Sequence, residues 1–191
     1  MAGRQAKILT ANQLKQALSA ASKTRYPTRD RAMLLLSAKA GLRAAEIAGL
    51  TWSMILDASG RLSDEIALAD HIAKKGSGRT IPVHPLLRAT LIRLRRENSS
   101  NGHVIKSERG QRLGAGAVVN WFRAHYARLG LEGCSSHSGR RTFITLAARR
   151  ISKAGGSIRD VQSLAGHRSL NHTQRYIEVS NQAKRRLVTL L

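Results

Sequence analysis

Leu14, Ala17, Leu18 and Ala21 fall on one face of a 3.6-residue repeat, and Thr10-Ala-Asn-Gln13 ahead of them has capping-box form. A first helix is therefore predicted to begin at Thr10. Pro27 and Thr28 open a second, with Met33, Leu34, Leu36 and Ala40 apolar and Gly41 placed to stop it. A short helix from Ala44 to Leu50 follows, with Trp52 packed behind it. The period then changes. Ile66, Leu68 and Ile72 are spaced as in a strand, Gly76-Ser77-Gly78 reads as a tight turn, and Arg79 to Val83 reads as the returning strand, ending near Pro85.

Helical spacing resumes with Leu86, Leu87, Leu91, Ile92 and Leu94, and again with Val118, Val119, Phe122 and Tyr126. Asn98 to Gly116, between them, is polar and glycine-rich, a loop with at most one short ribbon. Ser138 to about Lys153 is predicted helical and stopped by Gly155-Gly156. Ser157-Ile-Arg-Asp160 caps a further helix that ends near Gly166. A helix from Leu170 to Val179 and a basic amphipathic one from Asn181 to Leu191 complete the chain. The pattern predicts a mainly α domain with a small antiparallel β-sheet, an α+β architecture. Residues 1–8 read as a tail, 9–179 as one domain and 180–191 as a C-terminal helix.

Composition sharpens this. A hydrophobic fraction of 42% suffices for a core, but aromatics are only 4%, so Leu, Ile, Val and Ala must fill it. One cysteine, Cys134, excludes an intrachain disulfide and fits a reducing compartment. No apolar run approaches the roughly 18 residues of a membrane span, and no apolar stretch follows the charged N-terminus as in a signal peptide. A cytoplasmic protein is expected. Charge is the dominant feature: 33 Lys plus Arg against 11 Asp plus Glu give a formal net charge of +22. That excess opposes compaction unless a polyanion offsets it, and nucleic acid is the leading partner because binding phosphates releases condensed counterions. Basic residues run from Arg4 to Arg186 instead of forming one amphipathic helix, which disfavours a membrane surface.

Candidate chemistry gathers at three places. Gly41-Leu-Arg43-Ala-Ala-Glu46-Ile lies at a helix start, where backbone N–H groups favour an anion. His137-Ser-Gly-Arg140 sets an imidazole and a guanidinium three residues apart at another helix start. Leu164-Ala-Gly-His167 is followed nine positions later by Tyr176. An isolated tyrosine at helical spacing is ordinarily a core residue; its company makes this one a candidate. His71, His84, His103, His125 and His172 have no partners at ligand spacing, so no metal site is expected. Gly76-Ser-Gly78 is not a phosphate-binding loop, since no Gly-Lys-Ser/Thr follows it.

The order Arg, Lys, His-x-x-Arg, His, Tyr resembles the signature of the tyrosine recombinases, or phage integrases. The likeness covers nearly the whole chain from Leu9. Its first box is Ala40-Gly-Leu-Arg43-Ala-Ala-Glu46-Ile-Ala-Gly-Leu50-Thr-Trp52, its second His137-Ser-Gly-Arg140-Arg-Thr-Phe143, its third Leu164-Ala-Gly-His167 with Tyr176. Lys74-Lys75-Gly-Ser-Gly-Arg-Thr-Ile-Pro82 resembles the hairpin that carries the family lysine. The resemblance implies the integrase catalytic-domain fold and reversible cleavage of double-stranded DNA through a 3′-phosphotyrosine link to Tyr176, without cofactor. It further implies that Arg43 and Arg140 clamp the phosphate and that His137 handles the tyrosine proton. His167 would bond the phosphate, and a lysine would protonate the leaving 5′ oxygen. Adjacent strand residues face opposite ways, so one lysine serves; hairpin spacing favours Lys74 over Lys75. Glu46 is an orienting partner for Arg43 or a plain helix acid, and Arg141 is structural or a phosphate contact.

Most family members carry a helical core-binding domain before the catalytic one, and here only about eight residues precede the first helix. Either the chain is shortened or it is similar to the short, single-domain invertases. The resemblance implies a homo-oligomer, a tetramer on DNA joined through the C-terminal segment, with accessory DNA-bending proteins and association with the nucleoid. Relaxation of DNA in the manner of a type IB topoisomerase, a non-catalytic DNA-binding regulator of the same fold, and a basic RNA- or ribosome-binding protein are the alternatives. The complete set of boxes argues against the regulator, and scarce aromatics argue against an RNA-stacking platform.

Overall fold

A computed structural model describes residues 5–73, 76–98, 101–176 and 188–189. In chain order the described elements are α1 (Ala11–Ala21), α2 (Pro27–Ala40), α3 (Ala44–Gly49), β1 (Glu65–Leu68), β2 (Arg79–Pro82), α4 (Pro85–Glu97), α5 (Ala115–Arg128), α6 (Ser138–Arg150), α7 (Ile158–Ala165) and α8 (Leu170–Gln174). The mainly helical reading with one small antiparallel sheet is correct.

Helix α1 starts where its capping box predicts. Thr10 Oγ1 accepts from Gln13 N at 3.2 Å and Gln13 Oε1 accepts from Thr10 N at 2.9 Å. Helix α2 is apolar around most of its circumference and runs through the centre of the molecule: Met33, Leu34, Leu35 and Leu36 are all buried. Helices α1, α4 and α6 pack around it. Where α6 crosses α2, Gly139 lies so close that a Cβ would stand 2.4 Å from Ser37 Oγ. Gly41 ends α2 at φ 67°, a left-handed turn natural to glycine. A Cβ there would also lie 2.5 Å from the Phe143 ring, so α6 seats directly on this turn.

The strands pair with Ile66 opposite Ile81 and Leu68 opposite Arg79. Ile66 and Ile81 are buried on the inner face. Ile72 departs from the expectation: the strand ends at Leu68, and Ile72 lies in a 3₁₀ turn, Asp70–Ile72. Asp70 Oδ1 accepts from Gly78 N at 2.8 Å and ties that turn to the returning strand. A bridge between Lys106 and Arg112 supplies the short ribbon expected between α4 and α5. Leu86, Ile92 and Val119, assigned to apolar helix faces, are exposed. Helix α6 ends at Arg150 and continues as a 3₁₀ turn, Ser152–Ala154, closed by Gly155 at φ 72°. Helix α8 stops at Gln174, short of the expected Val179; residues 177–179 and most of the C-terminal helix, 180–191, lie outside the described residues.

Two apolar clusters result. The larger joins α1 to α5 and the hairpin, with Trp52, Phe122 and Tyr126 among its buried side chains. The smaller holds Ile144, Val161 and Ala165, flanked by Phe143, Ala147, Ile151, Ile158 and Tyr176. Among the described residues, no helix is long and apolar enough to cross a membrane.

Candidate active site

The two clusters meet at a cleft of about 640 Å³ lined by Arg43, His137, Arg140, His167 and Tyr176, the five widely spaced candidates of the three boxes. Gln5, Ala6, Ser77, Arg141 and His172 complete much of its wall.

Arg43 follows the left-handed turn at Gly41 and precedes α3, so it leaves the larger core at its edge. Glu46, three residues on, is fully buried and receives both the Arg43 backbone N–H at 2.9 Å and the Arg43 Nη1 at 2.6 Å. Arg140, in the first turn of α6, is only 4% exposed. Its Nη1 donates to the carbonyl of Gly41 at 2.6 Å and its Nη2 to that of Ala165 at 2.5 Å. One guanidinium thus joins the turn before Arg43 to the end of α7. His137 stands at the N-terminal boundary of the same helix, directly before Ser138, and its side chain makes no capping bond.

The third box is built on a helix end. Gly166 takes φ 60° and reverses the chain, and the N–H of His167 bonds back to Gln162 O at 3.1 Å. Helix α7 leaves its last carbonyls without helical partners. Arg79 Nε takes that of Leu164 at 2.9 Å, and Arg140 takes that of Ala165, so two cations also complement the negative end of the helix dipole. His167 Nδ1 lies 3.0 Å from the buried Thr173 Oγ1. The Tyr176 N–H bonds to Thr173 O at 3.0 Å, and its ring stacks on His167 with centroids 5.6 Å apart.

These contacts set the electrostatics. Burial would raise the Glu46 pKa, but the bonds and charges of Arg79 and Arg43 outweigh it and hold the carboxyl below its ordinary value. Burial, then the like charge of Arg43, bring Arg140 down to about 9, against a smaller opposing pull from Glu46; it stays protonated at neutral pH. Burial, then the charges of Arg140 and Arg43, hold His167 down to about 4, so its imidazole is neutral at pH 7.

Arg141 differs from its neighbour: its Nη1 donates to Ala6 O at 2.6 Å, strapping the segment before α1 across α6. Lys74 and Lys75 lie outside the described residues; Ser77, close by on the hairpin, lines the cleft. The sequence reading passed over Arg79. Its side chain is 4% exposed and meets Glu46 through both terminal nitrogens, Nη1 at 3.1 Å and Nη2 at 3.0 Å. A signal was available. Arg79 stands two residues before the inward-facing Ile81, and an inward charge requires an opposite one. Among the described residues, no group of three or more His, Cys, Asp or Glu is placed to hold a metal ion.

The chain as a whole is similar to known proteins. The chain is 31% identical over 159 residues to the tyrosine recombinase XerC of Pelobacter propionicus, a match covering 81% of this chain and 49% of that protein. It is 30% identical over 186 residues to the XerC of Brucella suis, covering 92% and 56%. The chain thus spans about half the length of the curated relatives it matches. In structure it resembles the Tn1549 transposon integrase in complex with a circular intermediate DNA, at TM-score 0.78 and 18% identity over the whole chain and 67% of that protein. It also resembles the XerA recombinase, at TM-score 0.73 and 23% identity, over the whole chain and 65% of that one. The model of the phage integrase family matches residues 7–183, which include all three boxes and Tyr176, and the chain belongs to that family.

Proposed function

We propose that residues 9–179 are the catalytic domain of a site-specific DNA recombinase that cuts and rejoins double-stranded DNA through a phosphotyrosine link. The observation that carries the reading is the convergence of Arg43, His137, Arg140, His167 and Tyr176 on one cleft.

Charge fits the chemistry. Arg43 and Arg79 pair with Glu46, and the buried Arg140 feels its charge from further off, so these four side chains leave an excess of two positive charges at the cleft. A phosphodiester carries one negative charge and gains another as a nucleophile adds, so preorganised cations favour the transition state over the ground state. Arg43 and Arg140 take the two non-bridging oxygens, Arg140 lending the cleft the donors that its carbonyl contacts leave over. Thr173 occupies the Nδ1 of His167. With the imidazole neutral, a hydroxyl donated by Thr173 to Nδ1 leaves the proton on Nε2, which then donates to the phosphate.

In cleavage the Tyr176 oxygen forms a bond to phosphorus as the bond from phosphorus to the 5′ oxygen breaks. The phenol proton passes to His137. A hairpin lysine, Lys74 or its neighbour Lys75, protonates the departing oxygen. The phosphotyrosine conserves the bond energy, so the 5′ hydroxyl of another strand reverses the step without water or cofactor. Glu46 orients Arg43. The XerC relatives, named tyrosine recombinases, and the DNA-bound integrase support this reading. A structural neighbour crystallised as a lambda integrase dimer on a core site supports assembly of this chain on DNA. We place the working unit as a tetramer joined through residues 180–191, aided by DNA-bending proteins at the nucleoid.

The test is covalent capture on a nicked duplex from which the 5′ fragment diffuses away. Wild-type protein is expected to give an SDS-resistant adduct, and Tyr176→Phe to bind the duplex normally and give none. Equal capture by the variant contradicts the mechanism.

A further inference from the structure

An arginine on a two-stranded ribbon is ordinarily solvated, yet the side chain of Arg79 is 4% exposed. Strand β2 turns it inward beside Leu68, and a buried guanidinium is unfavourable unless its N–H groups are paired. All three of its nitrogens are. The terminal pair forks onto the two Glu46 oxygens, and Nε reaches Leu164 O. Three segments distant in sequence therefore end on one side chain: the hairpin, α3 and the last turn of α7.

Each contact leads to a cleft residue. Glu46, which Arg79 grips, bonds Arg43 through both its backbone and its guanidinium. Leu164 lies three residues before His167, and the turn between them fits tightly: a Cβ on Gly166 would stand 2.9 Å from Arg79 Nη1. Arg43 and His167 line the cleft; Arg79 lines an adjoining hollow that shares Ser77, Gly166 and His167 with it.

We infer that Arg79 is a positioning residue for strand cleavage, locking the Arg43–Glu46 pair and the His167 turn into one frame. The inference rests on the recombinase reading of the cleft. It turns on geometry beyond charge, because a lysine has one nitrogen and cannot span Glu46 and Leu164 as the planar fork does.

The test compares Arg79→Met and Arg79→Lys with wild type in the full chain. Melting, duplex DNA affinity, single-turnover capture rate and the NMR titration of the His167 imidazole are measured. Both variants are expected to melt cooperatively, bind duplex with wild-type affinity and capture about 10- to 100-fold more slowly, the size typical when a partner behind an active group is removed. The His167 midpoint is expected to rise in Arg79→Met, since Arg79 is one of the cations that hold it down, with Arg140, Arg43 and the neighbouring His172 remaining. Wild-type capture by either variant overturns the inference. So does a rate loss matched by an equal loss of affinity or folded protein, which marks a plain brace. If Arg79→Met does not fold, Arg79→Lys decides by its capture rate. If wild type itself captures no DNA, the recombinase reading fails instead. The titration then decides for the frame, with an unmoved His167 midpoint in Arg79→Met contradicting it.

Discussion

The two sides of the cleft are built differently. Arg43, Glu46 and Arg79 stand on elements rooted in the larger cluster, where the leucines of α2, Trp52, Phe122 and Tyr126 exclude water. His167 and Tyr176 stand in the turns that follow α7 and α8, beside a cluster that among the described residues holds three buried apolar side chains, Ile144, Val161 and Ala165. Local stability follows buried apolar contact, so the Arg43 side is expected to be rigid and the Tyr176 side to open at lower free energy. A reversible strand exchange suits that division. In the proposed reaction the cations are preorganised, whereas the tyrosine reaches phosphorus, carries a DNA end and releases it. Arg140 bridges the halves with one carbonyl partner on each side, and Arg79 does so beside it through Glu46 and Leu164.

Removing Arg140 is expected to have the largest effect. Arg140→Met leaves the buried carbonyls of Gly41 and Ala165 without their donors, at about 1–3 kcal/mol each. It also removes a cation from the cleft, so capture should fall by about 10³-fold. Single-turnover capture and urea melting check both. Near wild-type stability would show that Arg79 and the packing of α6 on α2 hold the halves together without Arg140.

A smaller effect separates the halves. Leu35→Ala, in the larger core, is expected to cost about 2–5 kcal/mol and to lower hydrogen-exchange protection throughout the protein. Val161→Ala should cost less, speed exchange chiefly in α7 and α8, and slow capture while α2 keeps its protection. Uniform loss of protection in both variants would erase the distinction between the halves.

The smallest effect is on pH dependence. His167 titrates near 4 in the folded chain against an ordinary value of 6.5. The unfolded chain therefore binds this proton first, and the stability held by neutral His167 is full above pH 6.5 and lost as pH falls toward 4. Melting temperatures of wild type and His167→Gln should accordingly change relative to each other between those limits and run parallel outside them. A constant difference would place His167 in a solvated setting.

Much of this was legible in the sequence because it is local. Caps at Thr10 and Ser157, stops at Gly41 and Gly166, and the spacing of the three boxes are set by short-range geometry. What escaped is tertiary. Arg79 looked like one more strand residue because its meaning depends on Glu46, thirty-three positions away. Ile72 fits strand alternation by number alone, but Asp70 accepts the Gly78 N–H and the chain turns before reaching it. Leu86, Ile92 and Val119 share helical spacing with buried residues, yet the width of a buried stripe is fixed by what packs on it. Alternation bears on Lys74 and Lys75 only within a strand, and the described strands end at Leu68 and begin again at Arg79.

The most direct measurement is the position of the covalent link. Protein captured on a nicked duplex is digested with nuclease and protease, and the peptides are sequenced by mass spectrometry. A nucleotide attached through phosphate to Tyr176 is the predicted result. A nucleotide on any other side chain would contradict the account, as would DNA cut with no protein attached.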